Sequence, residues 1–253
     1  MLNRLRQGRD TGLPKLLIVH GLFGSARNWG AIAKRMSDSR EVVSVDMRNH
    51  GESAWSDAHG YDDLAQDLAE VIAAEGGAMD VLGHSMGGKA AMMLALTQPD
   101  LVNRLLVADI APVSYAHSQT PLIHAMRALP VDKITTRAAA DAELAQQVAD
   151  PSVRAFLLQS LDLRVTPARW RLNLDVLEKE MSRITGWPDV SGQFEGQALF
   201  LSGAESDYVM PEHRAVIRAL FPNARFAKLP GAGHWLHAEA PRPFEATLRM
   251  WFS

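Results

Sequence analysis

No cysteine occurs among the 253 residues. That absence excludes disulfides, thiol nucleophiles and thiolate metal sites, and it suits a reducing compartment. An excess of one charge is also missing: 26 Lys and Arg stand against 29 Asp and Glu, a net charge of −3. A balance so near neutrality supplies no electrostatic pull toward nucleic acid or an anionic membrane surface, so neither is expected as a partner. Long hydrophobic runs are lacking too. The longest uncharged apolar stretch in a helical pattern, AAMMLAL (90–96), falls far short of the roughly 18 residues needed to span a bilayer. The N-terminal MLNRLRQGRDTG is basic but has no apolar segment of the signal-peptide kind. The expected location is the cytoplasm.

What is present is an ordinary globular composition, 47% hydrophobic and 22% charged, enough for one large domain or a domain with an insert. Short apolar runs bounded by Gly or Asp recur: LLIV (16–19), VVSV (42–45), DVL (80–82), LLVA (105–108) and ALFL (198–201). They do not alternate with polar residues, which marks strands buried on both faces of a parallel sheet. Helical patterns lie between them. In YDDLAQDLAEVIAAEGG, Leu64, Leu68, Val71 and Ile72 share one face, and Gly76-Gly77 supplies the stop. Alternation of this kind predicts an α/β architecture with a mostly parallel central sheet flanked by helices.

Between residues 112 and 192 the strand signals vanish. Helix-forming stretches such as TTRAAADAELAQQVA and PARWRLNLDVLEKEMSRI replace them, divided by prolines at 112, 121, 130, 151, 167 and 188. The segment reads as a helical cap inserted into a core made of residues 1–111 and 193–253.

The strand DVL runs into GHSMGGKAAMMLAL, and Gly83-His84-Ser85-Met86-Gly87 fits G-x-S-x-G. The turn is so tight that its flanking positions exclude side chains, and it exposes a strained serine oxygen at a helix start. The same residues nearly satisfy a phosphate-binding loop: Gly83 to Lys89 read G-x-x-x-x-G-K. Position 90, however, is Ala90, where such a loop needs a hydroxyl for its metal ion. Nothing else in the chain supports nucleotide binding.

Other parts point to acyl chemistry. His20-Gly21-Leu22-Phe23-Gly24 directly follows the first apolar strand. An oxyanion needs two donors; the Met86 N–H supplies one, and the Leu22 N–H is placed to supply the second. His20 is expected to fix that loop by hydrogen bonding. In VVSVDMRNHGES, the residues Asp46, Arg48, Asn49 and His50 read as a buried turn bracing the loop, with His50 an alternative base. LPGAGHWLHAEAP places His234 in a glycine-rich loop from which an imidazole can reach the nucleophile. His237, close to a helix start, reads as a capping or packing residue, and Glu239 with Pro241 as the opening of the last helix.

With these segments quoted, a resemblance is evident. HGLFGS, DMRNHGES, GHSMGG, ADIAPV and GAGHWLHAE together resemble the α/β-hydrolase superfamily, and within it small bacterial acyl esterases related to abhydrolase-domain mitochondrial proteins. The resemblance implies a sheet that usually has eight strands, a helical cap, no metal and no organic cofactor. It also implies a nucleophile–acid–histidine order along the chain. Three acids compete for the middle place. FLSGAESDYV carries Glu205 and Asp207, but in the G-x-x-D turn used by most such hydrolases the fourth position here is Ser206. Asp109, after LLVA, is the first choice, as in the ADIAPV-bearing subgroup; Asp207 is the alternative and Glu205 a third. Ser206 would then bond near His234.

The expected function is hydrolysis of short- to medium-chain acyl esters, or of acyl thioesters, through Ser85, His234 and Asp109. Carbon–carbon bond hydrolysis, cofactor-free peroxidation and a non-catalytic receptor on the same fold are the alternatives. Trp170, Trp187, Met126 and Phe156 in the insert suggest an apolar acyl pocket, although core packing would use the same residues.

Overall fold

A computed structural model describes residues 1–253. Seven strands form the central sheet: β1 (Arg4–Gln7), β2 (Leu16–Val19), β3 (Val42–Val45), β4 (Met79–His84), β5 (Val102–Ala108), β8 (Gln197–Gly203) and β9 (Ala224–Leu229). A separate two-stranded ribbon pairs β6 (Leu161–Asp162) with β7 (Arg169–Trp170). The sheet order is β1-β3-β2-β4-β5-β8-β9, parallel throughout except for β1, which runs antiparallel along β3.

The unalternated apolar runs have the expected cause. Leu17 and Val19 join one buried cluster with the helices Tyr61–Ala74 and Met86–Thr97, whereas Leu16 and Ile18 join another beneath Pro241–Trp251. Both faces of the strand are therefore dry, and an alternating sequence would put polar groups into one of them. The helix Tyr61–Ala74 ends just before Gly76-Gly77, and Met86–Thr97 ends before Gln98-Pro99.

Three expectations are corrected. The strand count is seven, not eight, because the chain before Leu16 contributes a single edge strand, Arg4–Gln7. Its polar sequence RLRQ carries no apolar run that would mark a strand. Strands do occur between residues 112 and 192, as the short β6–β7 ribbon. And PARWRLNLDVLEKEMSRI is not one helix: it opens as β7 and becomes helical only over Leu174–Lys179 and Met181–Thr185. Asn173 marks the boundary by accepting the Val176 N–H on its side chain.

The parallel strands bring their carboxyl ends to one rim. Four non-glycine residues adopt positive φ there: Phe23 (63°), Asn49 (65°), Ser85 (52°) and Asp109 (51°). Each lies within four residues of the end of β2, β3, β4 or β5 respectively. Backbone strain of this kind persists only where surrounding structure holds it, and here it marks one place.

Candidate active site

Ser85 stands between β4 and the helix that starts at Met86, with φ 52° and ψ −121°. The neighbouring glycines make this conformation possible. A Cβ on Gly83 would fall on the backbone of Gly87, and one on Gly87 would fall on the carbonyls of Val19 and His20. Only backbone without side chains packs this closely.

The structure brings three of the predicted residues into one chain of hydrogen bonds. His234 Nδ1 lies 2.7 Å from Asp109 Oδ2, and His234 Nε2 lies 3.1 Å from Ser85 Oγ. A carboxylate only accepts, so Nδ1 carries the proton; Nε2 then accepts from the Ser85 hydroxyl. Asp109 is fully buried, and two further donors reach its carboxylate. Gly203 N–H donates to Oδ1 at 3.0 Å, and Ser206 Oγ–H donates to Oδ2 at 2.5 Å. Asp207 and Glu205 are exposed, and neither bonds to His234. His50 is not placed as a base: its Nδ1–H donates to Arg48 O (2.9 Å) and its Nε2 accepts from Phe23 N–H (3.2 Å).

The loop after β2 is held by side-chain hydrogen bonds. His20 Nδ1–H donates to Gly21 O (2.7 Å) while Nε2 accepts from Met47 N–H (2.9 Å). Burial lowers the pKa of His20, and lowers that of His50 further below the usual range, so each keeps the single proton its bonds require. Asp46 braces the same turn by accepting from the amides of Ala26 (2.7 Å) and Glu52 (2.9 Å). Leu22 and Met86 both border the cavity in front of Ser85, and their amides make no hydrogen bond within the protein.

The roles of His84 and Tyr208 were not singled out from the sequence, and Glu239 takes a role other than the one expected. His84, the variable residue of the elbow, donates from Nε2 to the His234 carbonyl at 2.8 Å, tying the histidine loop to β4. Burial holds its pKa well below the ordinary value, with His234 and His237 adding to the shift. Tyr208 stacks on the His234 ring, centroids 4.0 Å apart and planes 20° apart. Glu239 does not open the last helix. It ends a one-turn helix, Leu236–Glu239, and its carboxylate accepts from the amides of Gly233 and Trp235 on either side of His234. Pro241 is the first residue of the last helix. His237 packs flat against Trp29, centroids 4.1 Å apart. No single-position signal marks these roles, because each depends on which loop faces which.

The cavity holds about 310 Å³. Residues from the 112–192 segment form much of its wall, among them Tyr115, Leu122, Val153, Phe156 and Ile184. Of the four apolar residues expected to line it, only Phe156 does. Met126 is wholly buried in the core, and Trp170 and Trp187 pack against that core; the Trp170 indole N–H donates to Met126 O at 2.8 Å. Lys89 borders the cavity with its ammonium turned onto the carbonyls of Thr185 and Gly186, not into a free phosphate loop.

No helix is long and apolar enough to cross a membrane. The model of the alpha/beta hydrolase family matches residues 16–247. The chain is 41% identical to mouse sn-1-specific diacylglycerol lipase ABHD11, covering 93% of this chain and 80% of that protein. It is 37% identical to Esterase YbfF of Escherichia coli strain K12, covering 92% and 90%. A solved structure described as a marine microorganism esterase superposes with a TM-score of 0.94 at 34% identity, covering 99% of this chain and 98% of that one. The chain belongs to the alpha/beta hydrolase family, among its carboxylic ester hydrolases.

Proposed function

We propose that the protein hydrolyses carboxylic esters, and acyl thioesters of similar size, by a Ser85–His234–Asp109 triad acting through an acyl-enzyme. The observation that carries this reading is the unbroken relay from Ser85 Oγ through His234 to Asp109, at 3.1 and 2.7 Å, opening on a mostly apolar cavity.

In the first step His234 Nε2 takes the Ser85 proton as Oγ attacks the acyl carbonyl. The tetrahedral oxygen becomes an oxyanion, which the Leu22 and Met86 amides hold in place of water. Asp109 keeps the imidazole in the tautomer with Nδ1 protonated and stabilises it once charged. The imidazolium then protonates the leaving alcohol or thiol. Water, deprotonated by His234, attacks the acyl-Ser85 ester, and the tetrahedral intermediate collapses to the free acid as the imidazolium returns the proton to Ser85 Oγ. Every donor needed for this sequence belongs to the chain itself. Residues 112–192 act as a cap over the site, a role supported by the wall they contribute, and a cavity of about 310 Å³ suits short to medium acyl chains.

The test is a serine-directed fluorophosphonate probe combined with a panel of p-nitrophenyl esters and acyl-CoA thioesters. Labelling and turnover that both vanish in Ser85→Ala are expected. Folded wild-type protein that is neither labelled nor active would favour a non-catalytic receptor instead.

A further inference from the structure

Lys89 has no place in the reaction just described, yet it lies one helical turn beyond Ser85 and borders the same cavity. It is 1% exposed and forms no ion pair. Its Nζ donates to Thr185 O at 2.9 Å and to Gly186 O at 2.5 Å, and stands 4.8 Å from the centroid of the Tyr115 ring. Burial by itself pushes its pKa down to about 7. An apolar side chain of equal length would fill that space without the cost of burying an ammonium. Packing therefore does not account for a lysine here.

Its acceptors lie at the end of the short helix Met181–Thr185, where the last carbonyls lack partners within the helix. Three consecutive carbonyls are held from outside: Ile184 O by the Tyr61 hydroxyl (2.6 Å), Thr185 O by Lys89 and the Tyr115 amide (3.0 Å), and Gly186 O by Lys89. The next amide, Trp187 N–H, donates to Ser114 Oγ at 3.1 Å. Ile184 and Thr185 are themselves cavity wall. The ammonium thus pins one wall of the cavity to the helix that carries the nucleophile.

We propose that Lys89, together with Tyr61, determines acyl-chain selectivity by fixing the Ile184–Gly186 turn as a rigid wall of the acyl cavity. This rests on the esterase reading above. Without the Lys89 donors Gly186 O loses its partner and Thr185 O keeps only the Tyr115 amide, so the turn moves away and the cavity admits longer chains.

The experiment measures kcat and KM on p-nitrophenyl acetate, hexanoate and octanoate for wild type, Lys89→Met and Tyr61→Phe. Thermal melting establishes folding, and fluorophosphonate labelling of wild type reports on Ser85. The expected result is a rise of about fivefold or more in the octanoate-to-acetate ratio of kcat/KM, carried by a lower KM for octanoate. If folded Lys89→Met lowers kcat/KM equally at every chain length, the lysine is merely structural and the proposal fails. If Lys89→Met does not fold, Tyr61→Phe, which removes one oxygen, decides in the same way. Wild type that hydrolyses none of these esters defeats the esterase reading instead, so the two failures are distinct.

Discussion

The Ser206 hydroxyl donates at 2.5 Å to Asp109 Oδ2, the same oxygen that faces His234 Nδ1 at 2.7 Å. One carboxylate oxygen thus receives both a histidine and a serine. The serine comes from the turn in which a G-x-x-D hydrolase would carry its acid. Removing the hydroxyl leaves the buried oxygen with one donor fewer and lets the carboxylate turn away from His234. A hydrogen bond to a charged group contributes about 1.5–3 kcal/mol. Ser206→Ala should therefore lower kcat about tenfold or more with little change in KM. Steady-state kinetics on one p-nitrophenyl ester would check this; an unchanged kcat refutes it.

The acid itself is tested by two isosteric changes made side by side. Asp109→Asn presents an amide that can donate to His234 and so favours the wrong tautomer, a change that costs about 10⁴ in a protease triad. Asp207→Asn alters an exposed side chain with no bond to His234, and turnover should stay near the wild-type value. The reverse pattern would move the acid to Asp207.

The elbow depends on glycine at positions where sterics leave no choice. Gly83→Ala would drive its methyl into the Gly87 backbone, which cannot give way without dismantling the turn. A loss of about 3 kcal/mol or more, or failure to fold, is expected. Gly30→Ala is the contrast. It lies in a helix with φ −55° and open space around its Cβ position, so stability should hold or rise by up to about 1 kcal/mol. Urea unfolding of the two variants would separate the cases.

Acid should destabilise the fold through its buried histidines. Burial lowers His59 and His237 from 6.5 to about 4, and also lowers His20, His50 and His84. Below their unfolded value the open chain takes up protons that the folded chain refuses. Their contribution is therefore complete above about pH 6.5 and is lost as pH falls toward 4. For His59, which is 1% exposed, the shift corresponds to roughly 3 kcal/mol. The urea midpoint should drop between about pH 7.5 and pH 5, and His237→Phe should flatten that dependence. A pH-independent midpoint would contradict the burial of these rings.

Much of the architecture was legible because its signals are local. The dry strands β2, β3 and β4 read as apolar runs, since both faces of each meet packed helices. The G-x-S-x-G spacing pointed to a strained serine because only glycine permits that turn, wherever the turn occurs. The edge strand Arg4–Gln7 and the β6–β7 ribbon were missed for the converse reason. Their pairing is set by a neighbouring strand, and their side chains carry no periodic pattern.

The acid is set by long-range geometry instead. From the residues alone Asp109 and Asp207 both stood in the required order, and the preference for Asp109 came from a family likeness. What separates them physically is the β5–β8 register, which sets Ala108 beside Leu201 and so brings Gly203 and Ser206 onto the Asp109 carboxylate. By itself, then, the amino-acid order determined the layered fold, the elbow and the histidine loop, through patterns a few residues long. Tertiary structure alone decided which carboxylate meets the imidazole, that His84 and Glu239 hold the histidine loop, and where Lys89 points. Those contacts join strands and loops up to 150 positions apart, as His84 and His234 are, and no short pattern records such a distance.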